Sequence, residues 1–198
     1  VSERSWRKPA LWCGLFSMGG RALYVEWEDY AAAWIRNLIQ RGLVCPGDVY
    51  CGDMRDVHPR DLERYNRVHL FAGIAVWSYG LRRAGVPDSA NIWTFSEPCQ
   101  PFSAAGKGLG FADERYLRPY THHLVSQCRP AICLGEQVAS ADGLSWLDVV
   151  QSDMENAGYA GGALDSCSAG VGAPHIRQRL RFAYASNEWL ADAQEQRH

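Results

Sequence analysis

Short apolar runs that each stop at a glycine, a proline or an acid alternate with longer helical patterns along this chain. That alternation restricts its fold more than any other feature. Ala22-Leu23-Tyr24-Val25 ends at Glu26, Val49-Tyr50 leads into Gly52-Asp53, and Val68-His69-Leu70-Phe71 breaks at Gly73. Ile92-Trp93-Thr94-Phe95 runs into Pro98, and Ala131-Ile132-Cys133-Leu134 ends at Gly135-Glu136. Between these runs, apolar spacing predicts helices over Tyr30–Arg41, Ala75–Ala84, Pro119–Gln127 and Leu144–Ala157. The first of them carries Ala31, Trp34, Ile35 and Ile39 on one face and stops at Gly42. Ala163-Leu164 and Leu180–Tyr184 read as late strands. Strand and helix in alternation give an α/β protein with a doubly wound, mostly parallel sheet. In such a sheet the carboxyl ends of the strands share one edge, where ligands bind.

The chain has 198 residues, enough for one substantial core. We expect an N-terminal segment over 1–21, a single domain over 22–184 and a polar tail over 185–198. Seven cysteines form no C-x-x-C pair and make an odd total, which fits a reduced, cytoplasmic chain better than a disulfide framework and gives no sign of a metal site. No apolar run is long enough to span a membrane. A formal net charge of −2 argues against nucleic-acid binding by bulk electrostatics, so any such contact must come from local clusters. His175, Arg177, Arg179 and Arg181 form one such cluster, and Lys107, Arg115 and Arg118 another; each also suits a solvated face.

Chemistry concentrates in Glu97-Pro98-Cys99-Gln100-Pro101-Phe102-Ser103 and the Gly-rich stretch that follows, with Lys107. The two prolines bar regular helix or sheet and stiffen the turn that carries the thiol. A lone cysteine is usually a small buried hydrophobe, but a polar, Gly-rich loop at a strand's end is where a nucleophile belongs. Phe71-Ala72-Gly73-Ile74 is a strand-to-helix turn with one obligatory glycine, which as a nucleotide loop is a weak signal. Glu26 at a strand end can take ribose hydroxyls, the Trp27 indole offers a flat face to an adenine ring, and Asp53 can accept from an exocyclic amine. Taken singly each carboxylate suits a surface position; together with the glycine turn they compose an adenosyl site. Glu136 leaves an apolar strand for a polar loop, where it serves either as a proton donor or as a helix-capping acid. Arg177 and Arg179 share a face if extended and can clamp a polar ring oxygen and its phosphate.

These residues resemble the DNA (cytosine-5) methyltransferase family, particularly its phage and prophage forms. Pro98-Cys99-Gln100-Pro101-Phe102-Ser103 looks like the family's nucleophile motif, and Phe71-Ala72-Gly73-Ile74 like its first cofactor motif. Glu26-Trp27 and Gly52-Asp53-Met54 resemble the ribose/adenine and adenine-amine motifs. Glu136-Gln137-Val138 resembles the glutamate-asparagine-valine triplet, and Arg177 and Arg179 match the two arginines of the glutamine-x-arginine-x-arginine motif. The resemblance implies a Rossmann-like S-adenosylmethionine-dependent methyltransferase fold, double-stranded DNA as partner, and cytosine flipped out of the duplex. Cys99, Glu136, Arg177 and Arg179 would then be catalytic. Phe71, Ala72, Gly73, Ile74, Glu26, Trp27, Asp53, Met54 and Pro98 would hold S-adenosylmethionine, and Gln100, Ser103, Lys107 and Gln137 would meet the substrate.

The sequence departs from the family in three ways. The ribose and adenine motifs precede the first cofactor motif, a permuted order that compact domains tolerate when their termini lie close. Ala75, Gln137 and His175 replace the usual glycine, asparagine and glutamine, and Glu97 sets a carboxylate next to Cys99, which should raise the thiol pKa. No counterpart of the variable target-recognition region follows Tyr184. The resemblance therefore implies either a catalytic lobe whose recognition region is missing or separate, or a minimal homologue. A non-catalytic cofactor- or DNA-binding module, and a C5-pyrimidine modifier of RNA or free nucleotides, are the competing readings.

Overall fold

The computed structural model describes residues 20–98 and 117–196. Their central strands are buried on both faces, as the continuous apolar runs require. In β1 (Ala22–Glu26), Leu23 and Val25 face one layer of helices while Ala22 and Tyr24 face the other. The chain continues through α1 (Asp29–Gln40), β2 (Gly47–Cys51), a 3-10 turn (Met54–Asp56), the short α2 (Pro59–Leu62), β3 (Arg67–Leu70) and α3 (Val76–Arg83). After β4 (Ile92–Phe95) come α4 (Arg118–Cys128), β5 (Ile132–Val138), α5 (Ala141–Asn156), β6 (Tyr159–Cys167), β7 (Gln178–Ser186) and α6 (Asn187–Glu195).

The strands form one seven-stranded sheet of order β2-β1-β3-β4-β5-β7-β6. β1 to β5 pair in parallel, whereas β7 is antiparallel to both β5 and β6. The doubly wound, mostly parallel sheet expected from the sequence is thus present. On one face Leu62 of α2, Leu124 and Val125 of α4, and Trp146, Val150 and Met154 of α5 pack on Val68, Phe95, Cys133 and Phe182. On the other, Ile35 of α1 and Ala75 at the head of α3 cover Ala22 and Tyr24. The Tyr24 hydroxyl bonds Cys45 O at 2.7 Å and Ser78 Oγ at 2.8 Å, tying α3 to this layer. Aromatic rings fill the first layer, with Phe182 lying 5.4 Å from Phe95 and 5.8 Å from Trp146 between centroids. Gly135 is the residue that lets β5 fit beneath them, because a Cβ there would stand 2.0 Å from Phe182 Cζ and 2.5 Å from Phe95 O.

Two stretches differ from the sequence reading. The late strand expected at Ala163-Leu164 is the middle of the nine-residue β6, an edge strand. The residues expected as polar tail include the end of β7 and all of α6, whose N-cap Ser186 accepts from Trp189 N at 3.2 Å. No helix among the described residues is long and apolar enough to cross a membrane.

Candidate active site

Parallel pairing brings the carboxyl ends of β1 to β5 to one edge of the sheet, and a cleft of about 470 Å³ opens there. Val25, Glu26 and Trp27 at the end of β1 and Gly52, Asp53, Met54 and Arg55 after β2 line it. Phe71 after β3, Pro98 after β4 and Leu117 just before α4 complete the wall.

Glu26 is the organising group. Its Oε2 accepts the Gly73 amide at 2.6 Å, and its Oε1 accepts the amides of Trp27 at 2.9 Å and Glu28 at 3.0 Å. Three amide donors fix the carboxylate while leaving lone pairs free for a ligand's hydroxyls. Trp27 is 70% exposed, so its indole stands out from the cleft wall as a free flat face. Asp53 caps the 3-10 turn through Arg55 N at 2.9 Å, and its carboxylate also takes the Arg55 guanidinium. That contact holds the Asp53 carboxyl below the usual carboxylate range. An ionised acceptor beside the indole suits an exocyclic amine.

The turn after β3 is strained in a recognisable way. Phe71, Gly73 and Ala75 have φ of 56°, 55° and 62°, in the left-handed region that favours glycine. Residues held in such conformations cluster at ligand sites. Among the expected cofactor residues, Gly73 reaches the cleft's edge through Glu26, whereas Ala72 packs on the α1 side of the core and Ile74 is exposed. Neither Ala72 nor Ile74 lines the cleft.

β4 and β5 place the remaining groups side by side. Phe95 pairs with Gly135, so Glu97 and Pro98 lie near Glu136 and Gln137. Glu136 Oε1 and Arg179 Nε form an ion pair at 2.5 Å between β5 and β7, both half-buried. Arg177 precedes β7 and is exposed, so the two arginines are not equivalent as the alternating spacing suggests. Gln137 faces the opposite side of β5 from Glu136 and is buried; its Nε2 donates to Glu97 O at 3.5 Å. Gln137, expected from the sequence to meet the substrate, braces the end of β4 through this contact. Glu97 also turns inward: it is buried, 3.6 Å from Arg118 Nη1, on the Phe95 side of the sheet. The carboxylate that the sequence sets next to Cys99 thus lies in the core. Cys99, Gln100, Ser103 and Lys107 lie outside the described residues.

Sequence reasoning passed over Arg55, Leu117 and Asp153, and it read Arg118 with Lys107 and Arg115 as a local basic cluster or solvated face, whereas Arg118 is buried against Glu97 and Asp153. Arg118 sits beside Pro119 at a helix start, where nothing in the apolar spacing marks it. For Glu97 a signal existed, since residues two apart on a strand share a face and Phe95 is in the core.

A model of the C-5 cytosine-specific DNA methylase family matches residues 85–189, more than half of the chain. The chain belongs to that family. S-adenosylmethionine is the methyl donor of C-5 cytosine methyltransferases. Among solved structures, Schizosaccharomyces pombe Dnmt2 methyltransferase superposes with a TM-score of 0.51 at 14% identity, covering 85% of this chain and 51% of that one. A Spodoptera frugiperda DNMT2 variant gives 0.51 at 14%, covering 85% and 50%. These likenesses show the S-adenosylmethionine-dependent methyltransferase fold, and the chain spans about half the length of either structure. No curated protein matches the sequence.

Proposed function

We propose that this chain transfers a methyl group from S-adenosylmethionine to C5 of cytosine in DNA through a covalent Cys99 adduct at C6. The observation that carries the reading is Pro98: it lines the same cleft as Glu26 and Asp53, and Cys99 is the next residue. The donor set suits an adenosyl group: a fixed carboxylate for ribose hydroxyls, an exposed indole for stacking, and an ionised Asp53 for the adenine amine.

Cys99, as thiolate, adds to C6 of a cytosine flipped out of the duplex. The C5–C6 double-bond electrons shift toward C5 while Glu136 hydrogen-bonds or protonates N3 and relieves the charge. Arg179, already held by Glu136, takes the base's O2, and Arg177 supports the adduct. S-adenosylmethionine supplies the methyl group that C5 takes up. Loss of the C5 proton restores the double bond and expels the Cys99 thiolate.

The order of motifs also belongs to this proposal. A doubly wound sheet of spatial order 3-2-1-4-5 becomes β2-β1-β3-β4-β5 when its first strand comes third along the chain. That supports a permuted, phage- or prophage-type member in which Glu26 and Asp53 precede Gly73. We place double-stranded DNA as the partner, with sequence choice made by contacts beyond these residues. Methyl transfer from labelled S-adenosylmethionine to DNA, tRNA and dCMP, compared side by side, tests the substrate. Label in DNA supports the reading, and label confined to tRNA or dCMP overturns it.

A further inference from the structure

The arginine-rich start of β7 stands at the edge of the sheet where the cleft opens. β7 runs antiparallel to β5, with Arg179 opposite Val138 at the end of β5, and Gln178 opposite Cys167 at the end of β6. The turn from β6 to β7 therefore crosses that same edge. Its backbone is well fixed: Ser168 N donates to Arg177 O at 2.9 Å, Ala173 N donates to Ser168 O at 3.1 Å, and Gly172 takes the left-handed conformation at φ of 90°. Yet its branched side chains have no seat in the core, since Val171 and Ile176 are 86% and 85% exposed. One exposed aliphatic residue is ordinary, but two on a single fixed turn form a surface for contact.

Charge on this element is of one sign. From Ser168 to Arg181 the chain carries His175 and three arginines and no acid, although its formal net charge is −2. Strand alternation sets Arg181 on the same face of β7 as Arg179, and Arg181 lies opposite Glu136 of β5 and Leu164 of β6. Glu136 is spent on Arg179, whereas no ion pair among the described residues takes Arg181, which is exposed. Asp165, the acid on β6, pairs with Leu180 and so belongs to the other face. We propose that this turn and Arg181 dock the DNA duplex beside the flipped cytosine: Arg181 meets a backbone phosphate, and Val171 and Ile176 lie against the sugars and base edges of a groove. This rests on the reading of double-stranded DNA as the partner. The guanidinium fork matches the oxygens of a phosphate, and an aliphatic tip flanked by arginines suits entry into a groove. A chain of negative net charge holds an anionic strand only through such a local cluster.

The test is fluorescence anisotropy of a labelled, mixed-sequence DNA duplex titrated with the full chain across a series of salt concentrations. Arg181→Gln should weaken binding and lower the slope of log affinity against log salt by about one, as for one lost phosphate contact. The double variant Val171→Ser/Ile176→Ser should weaken binding about tenfold with the slope unchanged, as for lost apolar burial. S-adenosylhomocysteine affinity should equal wild type in both. A wild-type slope in Arg181→Gln, or wild-type affinity in the double variant, overturns the proposal. So does a matching fall in S-adenosylhomocysteine affinity, which would assign these residues to the fold. Methyl transfer by the wild type separates the two failures: label in DNA with binding untouched by the variants removes this inference alone, and label confined to tRNA or dCMP removes the functional reading with it.

Discussion

The Glu26 carboxylate accepts the Gly73 amide at 2.6 Å, joining the ends of two neighbouring strands across 47 residues of sequence. The carboxylate proposed to meet a ribose is thereby fixed by the glycine turn, so a ligand need not order it on binding. Glu26→Ala should weaken S-adenosylhomocysteine binding by about 1.5–3 kcal/mol, the worth of hydrogen bonds to a charged group. Isothermal titration calorimetry checks this, and an affinity within twofold of wild type would remove Glu26 from the cofactor site.

Trp27 projects from the same strand end with 70% of its surface exposed, so it contributes little to the core. Trp27→Ala should cost about 1–3 kcal/mol of cofactor affinity, the range for stacking of a base on an aromatic ring. The urea midpoint should stay where it is. A stability loss with intact binding would mean that the indole serves the fold.

Glu136 stands in an ion pair with Arg179 and is not among the residues that line the cleft. Glu136→Gln should lower the turnover of methyl transfer by about 10²–10⁴, as for a lost general acid. Cofactor affinity should be unchanged. Turnover equal to wild type contradicts the role given to the carboxyl.

His69 provides a pH signature of the fold. It is buried, stacked on Tyr24 at 4.9 Å between centroids and bonded through Nδ1 to Thr94 Oγ1 at 2.8 Å. Burial, and then the nearby Arg67, pull its pKa down from the ordinary 6.5 to about 3. The folded state therefore takes up this proton less readily than the unfolded chain. The stability is present in full above pH 6.5 and is lost as pH falls toward 3. Between pH 7 and pH 5 the loss should be about 2 kcal/mol from this group. Urea denaturation at the two pH values, repeated on His69→Gln, measures it; an equal slope in the variant would assign the effect elsewhere.

The central strands were legible because burial on both faces writes them as unbroken apolar runs: Ala22–Val25 and Ile92–Phe95 are buried throughout. β6 was legible only at Ala163-Leu164, since its edge position leaves Gly161, Gly162 and Asp165 exposed and no alternation forms. α6 escaped for a related reason, because it buries no residue fully and offers no apolar stripe. At the site, strand ends told which residues gather at one edge, as Glu26, Asp53, Gly73 and Pro98 do. They did not tell where each side chain turns. Gln137 and Glu97 both point into the layer beneath α5, a consequence of strand alternation that adjacency to Glu136 and Cys99 conceals. The Ala75 position shows the opposite case: a residue where the family has glycine still takes the left-handed conformation, with φ of 62°.

The central claim is that Cys99 attacks cytosine. Incubation of the full chain with S-adenosylmethionine and DNA containing 5-fluorocytosine, followed by denaturing electrophoresis and peptide mass spectrometry, tests it directly, because fluorine at C5 cannot leave as a proton does and the enzyme stays attached. A DNA adduct on the Cys99 peptide, abolished by Cys99→Ala, is the result the account predicts. Methylated DNA with no adduct, or an adduct that persists in Cys99→Ala, would contradict it.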